Sequence, residues 1–272
     1  MGQAPPYSFG DAMENIKERI YNGEILLGCW LNLGSPLTAE IVGMAGFDWV
    51  LIDIEHGAGS EGQVLPQLQA LEHTPAAAVV RVESYQRQRF HRVLDLGAEG
   101  IMCPRIYTRA DAEQAVKAVR YQPEGSRGVA KMIRAAKFGA DFEDYYANHK
   151  KKLVCIAQIE TAEILDSLDS VAAIDGVDVL FVGPTDLSLA LGVYGQPDHP
   201  KFVAAVKATA DAAAKEGKAA GILLKDPNEF KKYYDFGFRL LACGSDGVFV
   251  QSGASKTAES LKQLKESCAG DR

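Results

Sequence analysis

The chain has 272 residues, of which 47% are hydrophobic and 24% are charged, and its formal net charge is −7. These values are typical of a globular protein with a large apolar core, and they exclude disordered and collagen-like chains. The basic residues are dispersed apart from the run 150–152, so the sequence offers no basic stripe for a nucleic acid.

The N-terminal segment carries no targeting pattern. Residues 1–9 lack a basic region followed by an apolar one, and Pro6 stands where an N-myristoylation signal needs Ser or Thr. No stretch approaches the ~20 apolar residues of a membrane span.

The five cysteines show no CxxC spacing, and four of them lie in apolar runs, so we expect reduced core thiols and a cytoplasmic protein. They are Cys29, Cys103, Cys155, Cys243 and Cys268.

Apolar runs of strand length alternate with segments of helical period along the whole chain. An extra helix, Asp11–Asn22, is predicted before the first run and ends at Gly23. The eight predicted strands are Leu26–Asn32, Trp49–His56, Ala77–Glu83, Gly100–Ile106, Leu153–Thr161, Val177–Pro184, Ala219–Leu224 and Leu240–Val250. This alternation predicts an α/β protein, a (β/α)₈ TIM barrel that occupies residues 1–272 as a single domain.

A repeated link from helix to strand supports one wound barrel over two unrelated domains. Glycines that suit a helix end precede four of the predicted strands, at Gly46, Gly97, Gly176 and Gly237. The longest irregular segment is Tyr121–Gly139, and we expect either a functional loop or a return connection there.

In such a barrel the active site lies at the C-terminal ends of the strands, so polar groups there are the most informative. The second strand ends with Asp53, Glu55 and His56, a cluster that is rarely buried without a role. The third ends with Arg81, whose guanidinium needs an anion: either an internal ion pair or a substrate carboxylate or enolate oxygen. Asp95 ends the predicted helix Gln86–Leu96, where a partner such as a histidine or plain solvation could hold it.

The fifth and sixth strands contribute two further carboxylates. Gln158 and Glu160 are two residues apart and therefore share one face of the fifth strand, while Asp186 follows the sixth strand and could also be the N-cap of the next helix. Carboxylates from adjacent strand ends suit Mg²⁺ or Mn²⁺, with open positions for a 2-oxo acid. The fifth and sixth strands contain no lysine, which disfavours a Schiff base, and Lys225 is the one candidate elsewhere.

Five motifs taken together resemble the HpcH/HpaI class II pyruvate aldolases over roughly residues 10 to 265. They are Trp49 to His56 with Arg81, Arg92 to Ala98, Pro123 to Gly128, Gln158 to Thr161, and Gly183 to Ser188. The resemblance implies a (β/α)₈ barrel that forms a homo-oligomer, a hexamer or a trimer, with its last helix exchanged between subunits. It also implies a carbon–carbon lyase that cleaves or forms 4-hydroxy-2-oxo acids with a divalent metal (Mg²⁺, Mn²⁺ or Co²⁺) and no organic cofactor.

The resemblance also implies roles for individual residues. Glu160 and Asp186 would bind the metal, and Arg81 would hold the keto or enolate oxygen of pyruvate. His56 would handle the proton of the aldol hydroxyl, oriented by Asp53 or Asp95. Gln158 would assist at the substrate, and backbone amides around Thr185 would meet its carboxylate.

The sequence departs from the family at Arg105, which replaces an apolar residue of the fourth strand and hints at an anionic second substrate. Tyr145 or Tyr146 could correspond to a substrate-binding tyrosine of the macrophomate synthase branch of the family. Two alternatives to the aldolase stay open: an oxaloacetate decarboxylase or enolate-condensing synthase on the same site, and a non-catalytic barrel that binds an oxo acid or a protein.

Overall fold

The computed structural model describes residues 15–270 as a closed barrel of eight parallel strands, in which the last strand pairs with the first. Each strand pairs with its neighbours in chain order, and a helix follows each strand. The predicted (β/α)₈ barrel is therefore confirmed. The strands are β1 Leu26–Leu31, β2 Trp49–Asp53, β3 Ala77–Arg81, β4 Gly100–Cys103, β5 Val154–Ile159, β6 Val179–Val182, β7 Ala219–Leu224 and β8 Leu240–Ser245.

The helices form the outer layer, with one helix ahead of the barrel. They are α1 Ile16–Tyr21, α2 Pro36–Gly43, α3 Val64–Leu71, α4 Arg87–Asp95, α5 Arg109–Val119, α6 Phe142–Lys152, α7 Leu168–Ala172, α8 Pro184–Ala190, α9 Pro200–Lys215, α10 Phe230–Asp235 and α11 Asp246–Gly270. The extra N-terminal helix is confirmed as α1, which starts after Asn15, whose side chain accepts a hydrogen bond from the amide of Lys17. Residues 11–14 of its predicted span lie outside the described residues.

Alternate residues of every strand face the barrel interior, the lumen, and they are apolar over most of its height. Trp30, Trp49 and Phe181 meet there with ring centroids 5.6–6.0 Å apart. Two glycines make room for the aromatics: a Cβ on Gly28 would lie 2.2 Å from the Trp49 ring, and one on Gly221 would lie 2.3 Å from the Phe181 ring. The lumen is thus a packed core, and only its ends are open to chemistry.

Helix α1 closes the N-terminal end of the barrel. Ile16 and Ile20 pack against the lumen residues and are 2% and 4% exposed. The buried Asp178 fastens the helix, because its carboxylate accepts hydrogen bonds from Nζ of Lys17 at 3.0 Å and from the hydroxyl of Tyr21 at 2.8 Å. Access to the lumen is therefore left to the opposite end, the mouth, where the C-terminal ends of the strands lie.

Several strands are shorter than predicted, and the prediction for the last one is wrong at its end. The predicted strand Leu240–Val250 stops at Ser245, because α11 begins at Asp246. Ser245 Oγ accepts a hydrogen bond from the amide of Val248, and the buried Asp246 carboxylate accepts one from the amide of Gly247. These bonds satisfy the free amides of a helix start, so the β-branched and aromatic residues 248–250 become helical.

Segment 121–139 is a return connection on the far side of the molecule from the mouth. It joins the end of α5 to α6, and its Arg134 donates to the carbonyl oxygen of Leu96 and pairs with Glu72, which follow α4 and α3 at the N-terminal end of the barrel. Arg127 anchors the segment: its side chain is fully buried, donates to Asp95 at 2.7 Å and to the hydroxyl of Tyr145 at 2.9 Å, and lies over the ring of Tyr121. Of the two readings of this segment, the structure supports the connection.

No helix in the range 15–270 is long and apolar enough to cross a membrane. Four of the five cysteines lie in strands β1, β4, β5 and β8, as expected, and all five are free thiols.

Candidate active site at the mouth of the barrel

The lumen face becomes polar at the mouth. The same alternation that turns Trp49 and Leu51 inward on β2 brings Asp53 to the top of that strand, and β3 and β5 end in the same way. The resulting polar layer consists of Asp53, Arg81, Gln158 and Glu160, which are 4%, 8%, 3% and 5% exposed. Four predicted site residues are thus brought together on top of an apolar core.

Arg81 is held by two carboxylates. Asp53 and Arg81 are paired in register across β2 and β3, and Asp53 accepts from Nε at 3.0 Å and from Nη2 at 2.7 Å. Nη1 lies 3.1 Å from Oε2 of Glu55 as an ion pair outside hydrogen-bond geometry. The internal ion pair, one of the two explanations for this buried guanidinium, is therefore present.

Glu160 is the most perturbed carboxyl group of the mouth. Its Oε1 accepts the backbone N–H of Arg105 at 2.7 Å, and its Oε2 accepts Nε2 of Gln158 at 2.5 Å. Burial raises the pKa of Glu160 to about 7, and the negative charges of Glu55 and Asp186 act in the same direction. The backbone N–H of Arg105 and the guanidinium of Arg81 act in the opposite direction, so the raised pKa reflects burial first and the neighbouring carboxylates second.

Asp186 lies in the first turn of α8. The N-cap of that helix is Gly183, not Asp186, so the N-cap reading of Asp186 is wrong; Pro184 takes the first helical position and leaves Asp186 in the third. Thr185, beside it, is exposed. Gly183 lies against the carboxylate of Glu160, since a Cβ there would be 2.6 Å from Oε2.

His56 stands at the rim of the mouth. Its side chain is 68% exposed, and Nε2 is 3.8 Å from Oε1 of Glu55. Asp53 holds the turn that carries it, by accepting the amides of Glu55 and His56 at 3.1 and 3.2 Å. Burial raises the pKa of Glu55 against the opposing charge of Arg81. Glu55 had no predicted role of its own. Its position two residues after Asp53 could have indicated one, because that spacing puts both side chains on the same face of a strand.

Two other predicted residues lie apart from this layer. Arg105 is exposed beside the mouth and reaches Glu160 through its backbone. Asp95 lies at the other end of the barrel, because α4 runs back from the mouth and ends where the chain enters β4. Within one chain Asp95 binds Arg127, and the turn that carries His56 is held by Asp53, the other aspartate considered for that role. A role of Asp95 in orienting His56 stays a prediction.

The mouth fits a hard divalent cation. Oε1 of Gln158 is buried without a hydrogen-bond donor in the described part of the chain, and burial together with the charges of Glu55 and Asp186 raises the pKa of Glu160. Between residues 15 and 270 no group of three or more His, Cys, Asp and Glu side chains forms a metal site. Glu160 and Asp186 would hold the cation, with water and substrate as the remaining oxygens, an arrangement that Mg²⁺ commonly accepts.

Comparison with known proteins relates the chain to one family. The sequence profile of the family described as HpcH/HpaI aldolase/citrate lyase matches residues 26–252. A 5-keto-4-deoxy-D-glucarate aldolase of Shigella boydii is 39% identical over 241 residues, which cover 88% of this chain and 93% of the relative.

Two solved structures show the same architecture. The crystal structure of an HpcH/HpaI aldolase/citrate lyase family protein from Burkholderia cenocepacia is 36% identical, has a TM-score of 0.86, and covers 91% of this chain and 98% of its own. Macrophomate synthase has a TM-score of 0.80 with 23% identity, and covers 92% of this chain and 91% of its own, which shows a shared fold.

Proposed function

We propose that this chain, which belongs to the HpcH/HpaI aldolase/citrate lyase family and is a carbon–carbon lyase, is a divalent-metal-dependent aldolase that releases pyruvate from 4-hydroxy-2-oxo acids. The observation that carries the proposal is the buried Glu160 carboxyl group, with a pKa raised to about 7, facing Asp186 and Glu55 at the mouth. A bound cation would favour the carboxylate form of this group, and it would supply the positive charge that a developing pyruvate enolate requires.

In the cleavage direction, the reaction breaks the C3–C4 bond of the 4-hydroxy-2-oxo acid. The proton of the C4 hydroxyl passes to a base, the C4 oxygen becomes an aldehyde carbonyl, and the electron pair of the C3–C4 bond passes into the enolate of pyruvate. That enolate then takes up a proton at C3. A divalent cation held by Glu160 and Asp186 supplies positive charge beside the oxygens of the 2-oxo acid.

The chain's own residues divide the remaining tasks. Arg81 donates from the polar layer to the keto or enolate oxygen, where its fixed charge stabilises the developing anion. His56 takes and returns the hydroxyl proton at the rim, and Asp53 keeps both groups in place through the Arg81 ion pair and the His56 amide. Gln158 orients Glu160, and the amide of Thr185 in the first turn of α8 meets the substrate carboxylate.

The proposal is tested by exchange of the methyl hydrogens of pyruvate with D₂O, followed by proton NMR, because exchange reports enolate formation without any aldehyde. Stripping with a chelator should stop exchange, and Mg²⁺, Mn²⁺ or Co²⁺ should restore it. Glu160→Gln and Asp186→Asn should each lower the rate at least ~100-fold, since even outer partners of a metal ligand are worth 10–100-fold.

Glu163→Gln is the matched control, since Glu163 is an exposed acid shortly after the same strand. Undiminished exchange in the chelated protein and in both variants would overturn the proposal. Rates on oxaloacetate, measured beside rates with aldehyde plus pyruvate, separate an aldolase from a decarboxylase that uses the same enolate.

A further inference from the structure

Asp246, the first residue of α11, has a buried carboxylate whose hydrogen bonds in the described structure all come from uncharged donors. The residue is 2% exposed. Oδ1 accepts the amides of Asn32 and Gly247, both at 2.8 Å, and Oδ2 accepts the hydroxyl of Thr38 at 2.7 Å. The amide of Leu33 lies 3.3 Å from each oxygen. A carboxylate that is removed from water and bonded on both oxygens fixes the groups that bind it.

These bonds fasten the loop that follows β1. Asn32 comes directly after β1, and Thr38 lies in the first turn of α2, so Asp246 holds the loop at both of its ends. The loop and the start of α11 approach closely, since a Cβ on Gly247 would lie 2.7 Å from Oδ1 of Asn32. This part of the mouth therefore takes its position from the start of the last helix.

The same loop supports the turn that carries His56. The carbonyl oxygen of Asn32 accepts the amide of Ala58, two residues after the histidine, at 2.7 Å. The loop and the turn also touch through their glycines, because a Cβ on Gly34 would lie 2.6 Å from the Cα of Gly59. A shift of the loop would therefore shift the turn as well.

We propose that Asp246 is a positioning residue for His56 and acts through Asn32. Asp53 accepts the amide of His56 on one side of the turn, and Asn32, which Asp246 fixes, holds the other side. The imidazole is 68% exposed, so the backbone beneath it largely decides where its nitrogen atoms lie. This inference rests on the proposed function, in which His56 takes the proton of the C4 hydroxyl. It connects the start of the last helix to that proton transfer.

Two reactions of the proposed site differ in their need for this histidine. Cleavage of a 4-hydroxy-2-oxo acid requires a base for the hydroxyl proton when the C3–C4 bond breaks. Decarboxylation of oxaloacetate forms the same enolate by loss of CO₂, and the electron pair of the broken bond passes into the enolate, so no hydroxyl proton has to leave. A residue that acts through His56 is therefore needed for the first reaction only.

The test compares Asp246→Asn with the wild type in both reactions. Asparagine keeps the shape of the side chain but has only one acceptor oxygen. The kcat for cleavage of 4-hydroxy-2-oxopentanoate should fall roughly 10- to 100-fold, since a displacement of ~1 Å costs up to the larger factor. KM and the rate of oxaloacetate decarboxylation should stay nearly unchanged. In a His56→Ala background, Asp246→Asn should cause no further loss of cleavage.

Two other positions separate this role from a general loss of structure. Thr38→Val removes one donor to Asp246 and should lower cleavage less than Asp246→Asn does, whereas Thr38→Ser keeps the hydroxyl and should keep the rate. Thr38→Val carries the test if Asp246→Asn does not fold. Asp48→Asn is the matched control, because Asp48 accepts the amide of Leu27 at 2.8 Å at the opposite end of β1. It should change neither reaction.

The failure of this inference is distinguishable from that of the proposed function. A wild type that releases no pyruvate from 4-hydroxy-2-oxopentanoate with Mg²⁺, Mn²⁺ or Co²⁺ would contradict the proposed aldolase. In an active wild type, the role of Asp246 alone would be refuted by three results: undiminished cleavage in Asp246→Asn, equal losses of cleavage and decarboxylation, or the same loss of cleavage with and without His56.

Discussion

Asp53 and Arg81 illustrate how charges are kept at the buried mouth of the barrel. Asp53 accepts two bonds from the guanidinium and two from backbone amides, so every interaction that orients Arg81 also fixes the turn that carries His56. Removing either partner would leave a buried charge uncompensated, which typically costs 3–5 kcal/mol. The pair is therefore a structural unit as well as a candidate catalytic one.

Gly183 offers a test of the site that leaves its charges unchanged. Its backbone, at φ −89° and ψ 91°, suits alanine, but the new methyl group would lie 2.6 Å from Oε2 of Glu160 and 2.9 Å from Nε2 of Gln158. We expect Gly183→Ala to fold and to lose about 100-fold in pyruvate exchange, because a displacement of ~1 Å at a reacting site costs that much. The rate is measured by NMR and the fold by circular dichroism.

Gly253→Ala serves as the control for Gly183→Ala, since a methyl group there would meet nothing within 4 Å. A fully active Gly183→Ala protein would mean that the position of Glu160 does not limit the reaction.

The inward-facing site residues could be predicted from the sequence, and their partners could not. Strand alternation alone brings Asp53, Arg81 and Glu160 to the lumen face. The pairing of Asp53 with Arg81 depends on the register between two strands, and the bond from Arg105 to Glu160 depends on a left-handed residue in a loop. Neither feature has a signature in a single sequence.

At the scale of elements, segment 121–139 and α6 form a satellite core around Arg127. The rings of Tyr121 and Tyr146 approach the imidazole of His149, at centroid distances of 4.8 and 6.1 Å. The Nδ1 of His149 lies 2.6 Å from the carbonyl oxygen of Tyr146, and the side chain is 8% exposed. This cluster joins the connection to the N-terminal end of the barrel.

His149 should make stability depend on pH. Burial lowers its pKa below the ordinary 6.5, with help from the charges of Arg127 and Lys150 and against that of Glu124. The unfolded chain therefore binds the proton more readily, so stability is complete above pH 6.5 and is lost as the pH falls through the window below it. We expect the thermal midpoint of the wild type to drop more steeply below that pH than that of His149→Phe.

The control for His149→Phe is His73→Gln, because His73 is exposed. Parallel slopes for the wild type and His149→Phe would show that this histidine does not control acid stability.

Elements with strong periodicity were predictable and their ends were not. All eight strands lie within their predicted spans, but β8 lost its last five predicted residues to α11. Residues 248–250 read Val-Phe-Val, which favours a strand, and the side chains of Ser245 and Asp246 decide the outcome by capping a helix. Local capping chemistry therefore overrides propensity at this boundary.

At the scale of the whole molecule, α11 contrasts with the compact barrel. Residues 248–269 are all exposed, among them Phe249, Leu261 and Leu264, and α2 exposes Leu37 and Ile41 on one face, each at 70%. A helix is stabilised mainly by packing of an apolar face. Such a helix is expected to pack against a second copy of the chain, in line with the exchanged last helix that the family resemblance implies.

A double variant tests this assembly. We expect Leu261→Asp together with Leu264→Asp to lower the mass in solution, measured by light scattering, from that of an oligomer toward that of one chain, because two charges would enter an apolar contact. Ser260→Asp adds a charge to the same helix without removing apolar surface and should keep the oligomer. An unchanged mass in the double variant would place the interface elsewhere.

The two glycines that make room for aromatic rings in the lumen have a consequence for how this barrel can diverge. Position 28 cannot enlarge while Trp49 occupies its space, and position 221 cannot enlarge while Phe181 does. During evolution, a larger residue can replace either glycine only if a smaller residue replaces its aromatic partner, so the two residues of each pair change together. At these two places the evolution of the barrel interior is therefore constrained pair by pair.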